Sequence, residues 1–467
     1  MGQAIHTAHK GRWVQLTRSF GFDRADGYSV AALGYLALYL LAPTAWMAIP
    51  AALGFLALAV WKPRAALTTI PVTLPFYLMP RQLGGLEVSL PEVALLLTLG
   101  GTALRVGLDR LRGAPALLRP RPTAFDAPLA LLLAAALLSL LVTQYARLSL
   151  RELRVLILEP AIFFYLVVWL VSSQRQAQRL VQALLLGALA AALLALGQYA
   201  LDVGTTQVEG VRRVSALYQS PNHLALLLGR ALPIALAGLL LSGPPWRWGY
   251  GAVLLPMGAA LLATFSLGGW LGTAAGFTLV LAGVSRRTLL AGLLGALVLV
   301  AVTAPLLGVE RISSHLNPSS GSTTAIRLEL WGASLAMLRD HPLLGIGLDN
   351  FLYLYRQEYL PPGVVAEPNL SHPHNLALHF WLALGLPGLA AIGWLLARFA
   401  QAMRAALRES SRTTRMLALG LSGSMVDFVV HGLGDNSYFL VDMAFVFWLT
   451  LALAHFARVL QFRDHSP

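Results

Sequence analysis

The chain has 467 residues, 57% of them hydrophobic and 12% charged, with a net charge of +13 and a mean hydropathy of +0.67. Those values exclude an ordinary soluble domain and describe a membrane protein. The absence of cysteine excludes disulfides, thiolate metal sites and cysteine nucleophiles.

The basic start, residues 1–27, has no short apolar stretch followed by a small-residue cleavage site, so it is expected to stay in the cytoplasm. Apolar segments follow near 28–43, 44–61, 64–80, 88–107, 124–143, 156–171, 178–201, 222–242, 247–264, 267–284, 287–308, 375–400, 414–434 and 437–459. The first two can form one interrupted segment and several runs carry proline, so the count is 12 to 14. The expected fold class is all-α, a polytopic transmembrane helical bundle over residues 28–308 and 374–460. A long extracytoplasmic loop, 309–373, divides it, and residues 461–467 form a cytoplasmic tail.

Loop charge assigns the sides. Arg105, Arg110, Arg112, Arg119 and Arg121 in one loop, with Arg398, Arg404, Arg408, Arg412 and Arg415 in another, mark the cytoplasmic face. Alternation then places 144–155, 202–221, 264–267, 309–373 and 432–437 outside. Because topology and anionic lipid account for most of the positive excess, no nucleic-acid partner is expected. Within 309–373, Leu328, Trp331, Leu335 and Leu338 recur at helical spacing and predict a short amphipathic helix on the outer surface, ended by His341-Pro342. A long loop among tight ones is where function is expected.

Two outer loops run against the positive-inside tendency: Arg147, Arg151 and Arg154 in one, Arg212 and Arg213 in the other. Pairing with Glu152, Glu159, Asp202 and Glu209 is one explanation. The other is an anionic substrate whose phosphate oxygens the guanidinium groups grip. "SPNHLALLLG" (220–229) and "HPHNLALHF" (372–380) share a grammar, with Pro221 and Pro373 suited to a first helical turn and Asn222, His223, His374 and Asn375 following them. The span opening at Ser266 starts on the same side. Three helix N-termini facing one leaflet make an anion site. A helix N-terminus disfavours imidazolium, which suits His374 to accept a proton. His372 and His374 also form an H-x-H pair, but no neighbouring HExxH or carboxylate-rich cluster completes a ligand set, so no metal or other cofactor is expected. Inside the bundle, Arg230 and Asp427 each lie about 12 Å deep at 1.5 Å per residue, and Arg230 is expected to meet Asp427 or another buried acid. Asp427, His431 and Asp435 form one stripe, four residues apart.

His374-Asn375, nine residues, Gly385, two residues and Gly388 reproduce the pattern H-[NSQ]-x9-G-x-x-[GTY], and by it the chain resembles the O-antigen ligase family. "RDHPLLGIGLDNF" (339–351) resembles the "DHPLLGxGxxNF" segment of that family and of its polymerase relatives. "RLELW" (327–331) and "RRVSALYQSPNHLALLL" (212–228) are similar to its R-x-x-x-W stretch and its arginine-bearing outer loop. Together these cover roughly residues 205–400. One departure stands out, Leu267 after Ser266, where family members often carry an arginine.

The resemblance implies a glycosyltransferase that passes a glycan from undecaprenyl pyrophosphate to an acceptor hydroxyl on lipid A core, another glycan or a protein, outside the inner membrane. It assigns His374 as base and Arg213 as the main pyrophosphate ligand. Arg327, Arg212, Arg151 and Arg154 are further candidate ligands. Asn375, Asn222, His223 and Asp435 are orienting candidates. A metal-independent, inverting transfer follows. A ligase and a polymerase of repeat units both fit these motifs. A small-anion transporter, bicarbonate-like in substrate, is the rival of another class. It predicts polar residues through the whole thickness, whereas here they crowd toward the outer half.

Overall fold

Without water to bond free N–H and C=O groups, an apolar segment closes its hydrogen bonds within itself. All fourteen apolar segments contain helix in the computed structural model, which describes residues 24–83, 85–115, 117–118, 120–208, 211–307, 323–360, 370–408 and 411–460. Residues 1–23 of the N-terminal segment, the tail 461–467, Glu209 and most of the irregular stretches of the long loop lie outside the described residues.

The chain runs through α1 (Arg24–Leu41), α2 (Ala45–Trp61), α3 (Pro63–Thr73), the hairpin β1–β2 (Arg81–Leu83, Leu86–Val88), α4 (Leu90–Leu111) and α5 (Asp126–Ser139). Next, α6 (Ala146–Glu152) passes through a π-helical turn into α7 (Glu159–Leu170), and α8 (Gln174–Leu201) leads to the hairpin β3–β4 (Thr206–Val208, Val211–Arg213). The remainder is α9 (Pro221–Leu241), α10 (Trp246–Ala263), α11 (Leu267–Val284), α12 (Arg286–Leu307), α13 (Thr323–Asp340), α14 (Phe351–Leu354), α15 (Leu376–Arg408), α16 (Arg412–Gly432) and α17 (Val441–Leu460).

Among the described residues seven segments are long and apolar enough to cross a membrane: Leu90–Leu111, Ala146–Leu170, Gln174–Leu201, Pro221–Leu241, Leu267–Val284, Leu376–Arg408 and Val441–Arg458. The sequence count of 12 to 14 is larger because it includes short apolar helices such as α2, 17 residues, and α5, 14 residues. It also includes α16, whose Arg412, Arg415 and Asp427 dilute its hydropathy.

The bundle centre is α9, packed by α10, α11 and α16. α17 stacks Phe445 and Trp448 on Phe163 and Phe164 of α7. The long loop forms a separate layer at one end. There α13 buries Leu330, Ala333 and Met337 with Phe351, Leu354 and Tyr355 against Leu382 of α15. The helix ends before His341 as expected, but Leu328 and Leu335 are exposed, at 52% and 49%. In a bilayer an exposed leucine can face lipid without penalty, so the leucine repeat does not pick out the core face.

Two sequence motifs meet in this layer. Gly385 sits at φ 68, ψ −172 and breaks α15; a Cβ there would overlap the Leu343 carbonyl. The break admits the Leu343–Ile346 turn of the loop: Leu386 N–H donates to Leu343 O at 3.0 Å and Ile346 N–H to Leu382 O at 2.7 Å. Only glycine takes that conformation without strain. Asn350 clasps the other side, its Oδ1 accepting from the N–H groups of Gln144 and Tyr145 and its Nδ2 donating to Thr143, Ser149 and Leu348 O.

The five segments assigned to one side by charge do converge. Asn350 joins 309–373 to 144–155; Arg213 joins 202–221 to 264–267; Asp435 receives both His374 and Arg327. At the other end Arg179 pairs with Asp26 at 2.7 Å and Gln174 meets Thr414. In the interior, Arg230 and Asp427 are fully buried, but no direct ion pair joins them among the described residues. Arg230 Nη2 donates to Thr450 Oγ1 at 2.9 Å and its guanidinium lies 5.0 Å from the Phe428 ring, while Asp427 remains its electrostatic partner.

Candidate active site

The site grows from helix starts. Ser220 caps α9, its hydroxyl accepting from Asn222 N–H at 3.2 Å, with Pro221 in the first turn as its fixed φ favours. Ser266 caps α11 through Gly269 N–H at 3.3 Å. α15 begins one step later than its sequence suggests. Its cap is Asn375, whose Oδ1 accepts from Leu378 N–H at 3.1 Å. His374 precedes the cap at φ 49 and is not in the first turn, because the chain reverses there before entering the helix.

Arg213 ties two of these starts together. From β4 its Nε donates to Thr264 O at 2.7 Å and its Nη2 to Asn222 Oδ1 at 2.9 Å. Asn375 ties the third to the end of α16, donating from Nδ2 to Leu433 O at 3.1 Å.

Asp435, 1% exposed, is where the polar groups meet. His374 Nδ1 lies 3.1 Å from its Oδ1, and Arg327 Nη2 lies 3.7 Å from its Oδ2. With Nδ1–H donating to the carboxylate, the His374 Nε2 lone pair is left to take a proton. Burial alone would raise the Asp435 carboxyl. The hydrogen bond from His374 and the attraction of His374, His431 and His372 outweigh it, and hold it well below the usual carboxylate range. His372, whose ring centroid is 4.1 Å from that of His374, accepts the His374 backbone N–H on Nδ1 at 3.4 Å. Burial first, then repulsion from His374, keeps its imidazole well below the usual histidine range against the pull of Asp435. His223 is within electrostatic reach of Asp435 and His374. His431, one turn before Asp435, packs on the small face of α11: a Cβ at Gly268 would lie 2.8 Å from its ring.

The other expected arginines go elsewhere. Arg212 pairs with Asp202 at 2.7 Å and lies over the Tyr199 ring. Arg154 bridges Glu92 at 2.7 Å and Glu159 at 3.0 Å, and Arg151 is 4.0 Å from Glu152. The ion-pair reading of these loops thus holds for Arg212 and Arg154, while Arg213 and Arg327 gather at the helix starts. Leu267, the first residue of α11, is 44% exposed and brings no charge.

A carboxylate missing from the local motif also arrives from a distance. His372, His374 and Asp435 present three donor atoms within 4.8 Å of one another, close enough to share a cation. Asp435 is 61 residues from His374 in the chain, so sequence proximity does not join it to the H-x-H pair. Arg327 beside it already supplies positive charge, which works against a divalent ion in the same place.

The chain has several apolar helices of membrane-spanning length, with an Asp–His pair and arginines at one end of its bundle. Residues 252–393, from α10 into α15, match the family described as O-antigen ligase. That segment holds Ser266, Arg327, His374 and Asn375. A chain from a solved structure described as "Structural coordination of polymerization and crosslinking by a peptidoglycan synthase complex" is similar at 21% identity and a TM-score of 0.42, over 73% of this chain and 99% of that one. No curated protein matches the chain.

Proposed function

We propose that the protein transfers a glycan from undecaprenyl pyrophosphate to an acceptor hydroxyl on the periplasmic side of the inner membrane, as an O-antigen ligase does. The observation that carries this reading is the His374–Asp435 pair beside Arg327, with Arg213 at the adjoining helix starts. The acceptor O–H gives its proton to His374 Nε2 as its oxygen attacks the anomeric carbon. The bond from that carbon to the diphosphate oxygen breaks, and undecaprenyl diphosphate leaves with the electron pair. Its charge is met by Arg213, Arg327 and the N-terminal N–H groups of α9 and α11. Attack opposite the leaving group inverts the anomeric centre, and no protein nucleophile or metal is required. The complete H-N-x9-G-x-x-G pattern favours ligation of a finished glycan over polymerisation of repeat units.

The test is an assay of purified protein with an undecaprenyl-pyrophosphate glycan and candidate acceptors, with and without chelator. Transfer that fails in His374→Ala and Arg213→Ala and survives chelation is the expected result. Unchanged turnover in His374→Ala removes the base. Loss on chelation assigns a cation to His372, His374 and Asp435.

A further inference from the structure

Next to the histidine cluster lies a cavity of about 230 Å³, bordered by Arg151, Glu152, His223, Asp349, His372 and His379. At ~30 Å³ per water that is the volume of about eight waters. Its lining is acidic where the helix starts are basic. Glu152 and Asp349 come from distant segments, α6 and the long loop, and meet there beside one guanidinium, Arg151. Burial raises the Asp349 carboxyl, with Arg151 only partly opposing, and its backbone sits at φ 55. His379 stacks on Phe439 with ring centroids 3.7 Å apart. It is 8% exposed, and its Nδ1 has no hydrogen-bond partner among the described residues. A buried imidazole nitrogen facing a polar cavity needs a partner from within it.

We propose that this cavity is the acceptor subsite and takes one ring of a neutral sugar. The inference rests on the transfer reading and adds to it the chemistry of the acceptor. Two carboxylates accept hydrogen bonds from neighbouring hydroxyls. His379 adds an imidazole nitrogen, and the Tyr77 side chain borders the same space. A phosphate is disfavoured, because one guanidinium meets it against two carboxyl groups, each of which repels it when ionised. The two arginines proposed for the donor diphosphate, Arg213 and Arg327, do not border this cavity. Since the cavity borders His372, a ring held there is one imidazole from the proposed base.

Ligand-observed saturation-transfer NMR on the full-length protein in detergent tests this without donor lipid, using methyl glucoside, methyl galactoside and glucose 1-phosphate as probes. Saturation transfer to at least one neutral glycoside and none to the phosphate is expected. Glu152→Gln combined with Asp349→Asn should reduce the signal at least fivefold. So should Gln219→Trp, a bulky change at the exposed rim that leaves both carboxylates in place. No signal from either glycoside, a signal from glucose 1-phosphate as strong as theirs, or signals unchanged in both variants overturns the proposal. Glycoside binding that depends on these residues, in a protein with no transfer activity, keeps the subsite and removes the transfer reading. Transfer with glycoside binding unchanged in both variants removes the subsite alone.

Discussion

Replacing Asp435 with asparagine keeps the shape of a side chain that is 1% exposed and changes two things around it. The carboxylate that accepts from His374 Nδ1 at 3.1 Å becomes an amide, and Arg327, 3.7 Å away, loses its counter-charge. A charge-assisted hydrogen bond is worth about 1.5–3 kcal/mol, which on a barrier is roughly ten- to 150-fold. An amide N–H turned toward Nδ1 adds a second loss, because it favours the tautomer with the proton on Nε2, where no base remains. In a serine protease triad the same aspartate-to-asparagine change lowers kcat about 10⁴-fold. Asp435→Asn is therefore expected to lower kcat between about 10²- and 10⁴-fold. The KM for donor should move far less, since Arg213 is untouched and Arg327 keeps its own charge. Steady-state transfer of a labelled glycan, with thermal unfolding measured on the same detergent preparations, reads both. A well-folded variant within threefold of wild-type kcat refutes the dyad.

Gly385→Ala forces a side chain into a backbone at φ 68 and against Leu343 O, so it should cost about 1–3 kcal/mol from strain alone and lower the thermal midpoint; an unchanged midpoint contradicts the inserted-turn account. Asn350→Ala strips five hydrogen bonds from a fully buried clasp, and a loss of roughly 2–4 kcal/mol is expected by denaturant titration; less than about 0.5 kcal/mol shows that the clasp is idle. Asp349 has its carboxyl raised by burial, so its ionisation weakens the fold as pH climbs through the folded value, and the contribution is fully present only below the ordinary aspartate range. Asp349→Asn should therefore melt above wild type at pH 7, with the gap closing toward pH 4, and a variant that melts below wild type at pH 7 contradicts that sign.

The helices were legible because hydrophobic runs of near-bilayer length leave the backbone one solution, and the H-N-x9-G spacing pointed to His374 and Gly385 together. What that spacing is for was not legible. Gly385 matters through a turn about forty residues upstream, and that contact exists only once α15 has broken. The arginines show the same limit. Arg212 and Arg213 are neighbours in sequence, yet strand alternation sends one to Asp202 and the other to Asn222. Neither Asp435 with His374 nor Glu152 with Asp349 has a local signature, because each pair joins elements far apart in the chain.

The central claim is a place for a diphosphate. A structure determined with undecaprenyl diphosphate bound tests it most directly. The account predicts phosphate oxygens within hydrogen-bonding distance of Arg213 and Arg327, with His374 Nε2 open to the anomeric position beside them. A diphosphate seated at the Arg179 end of the bundle, or apart from both arginines, contradicts it.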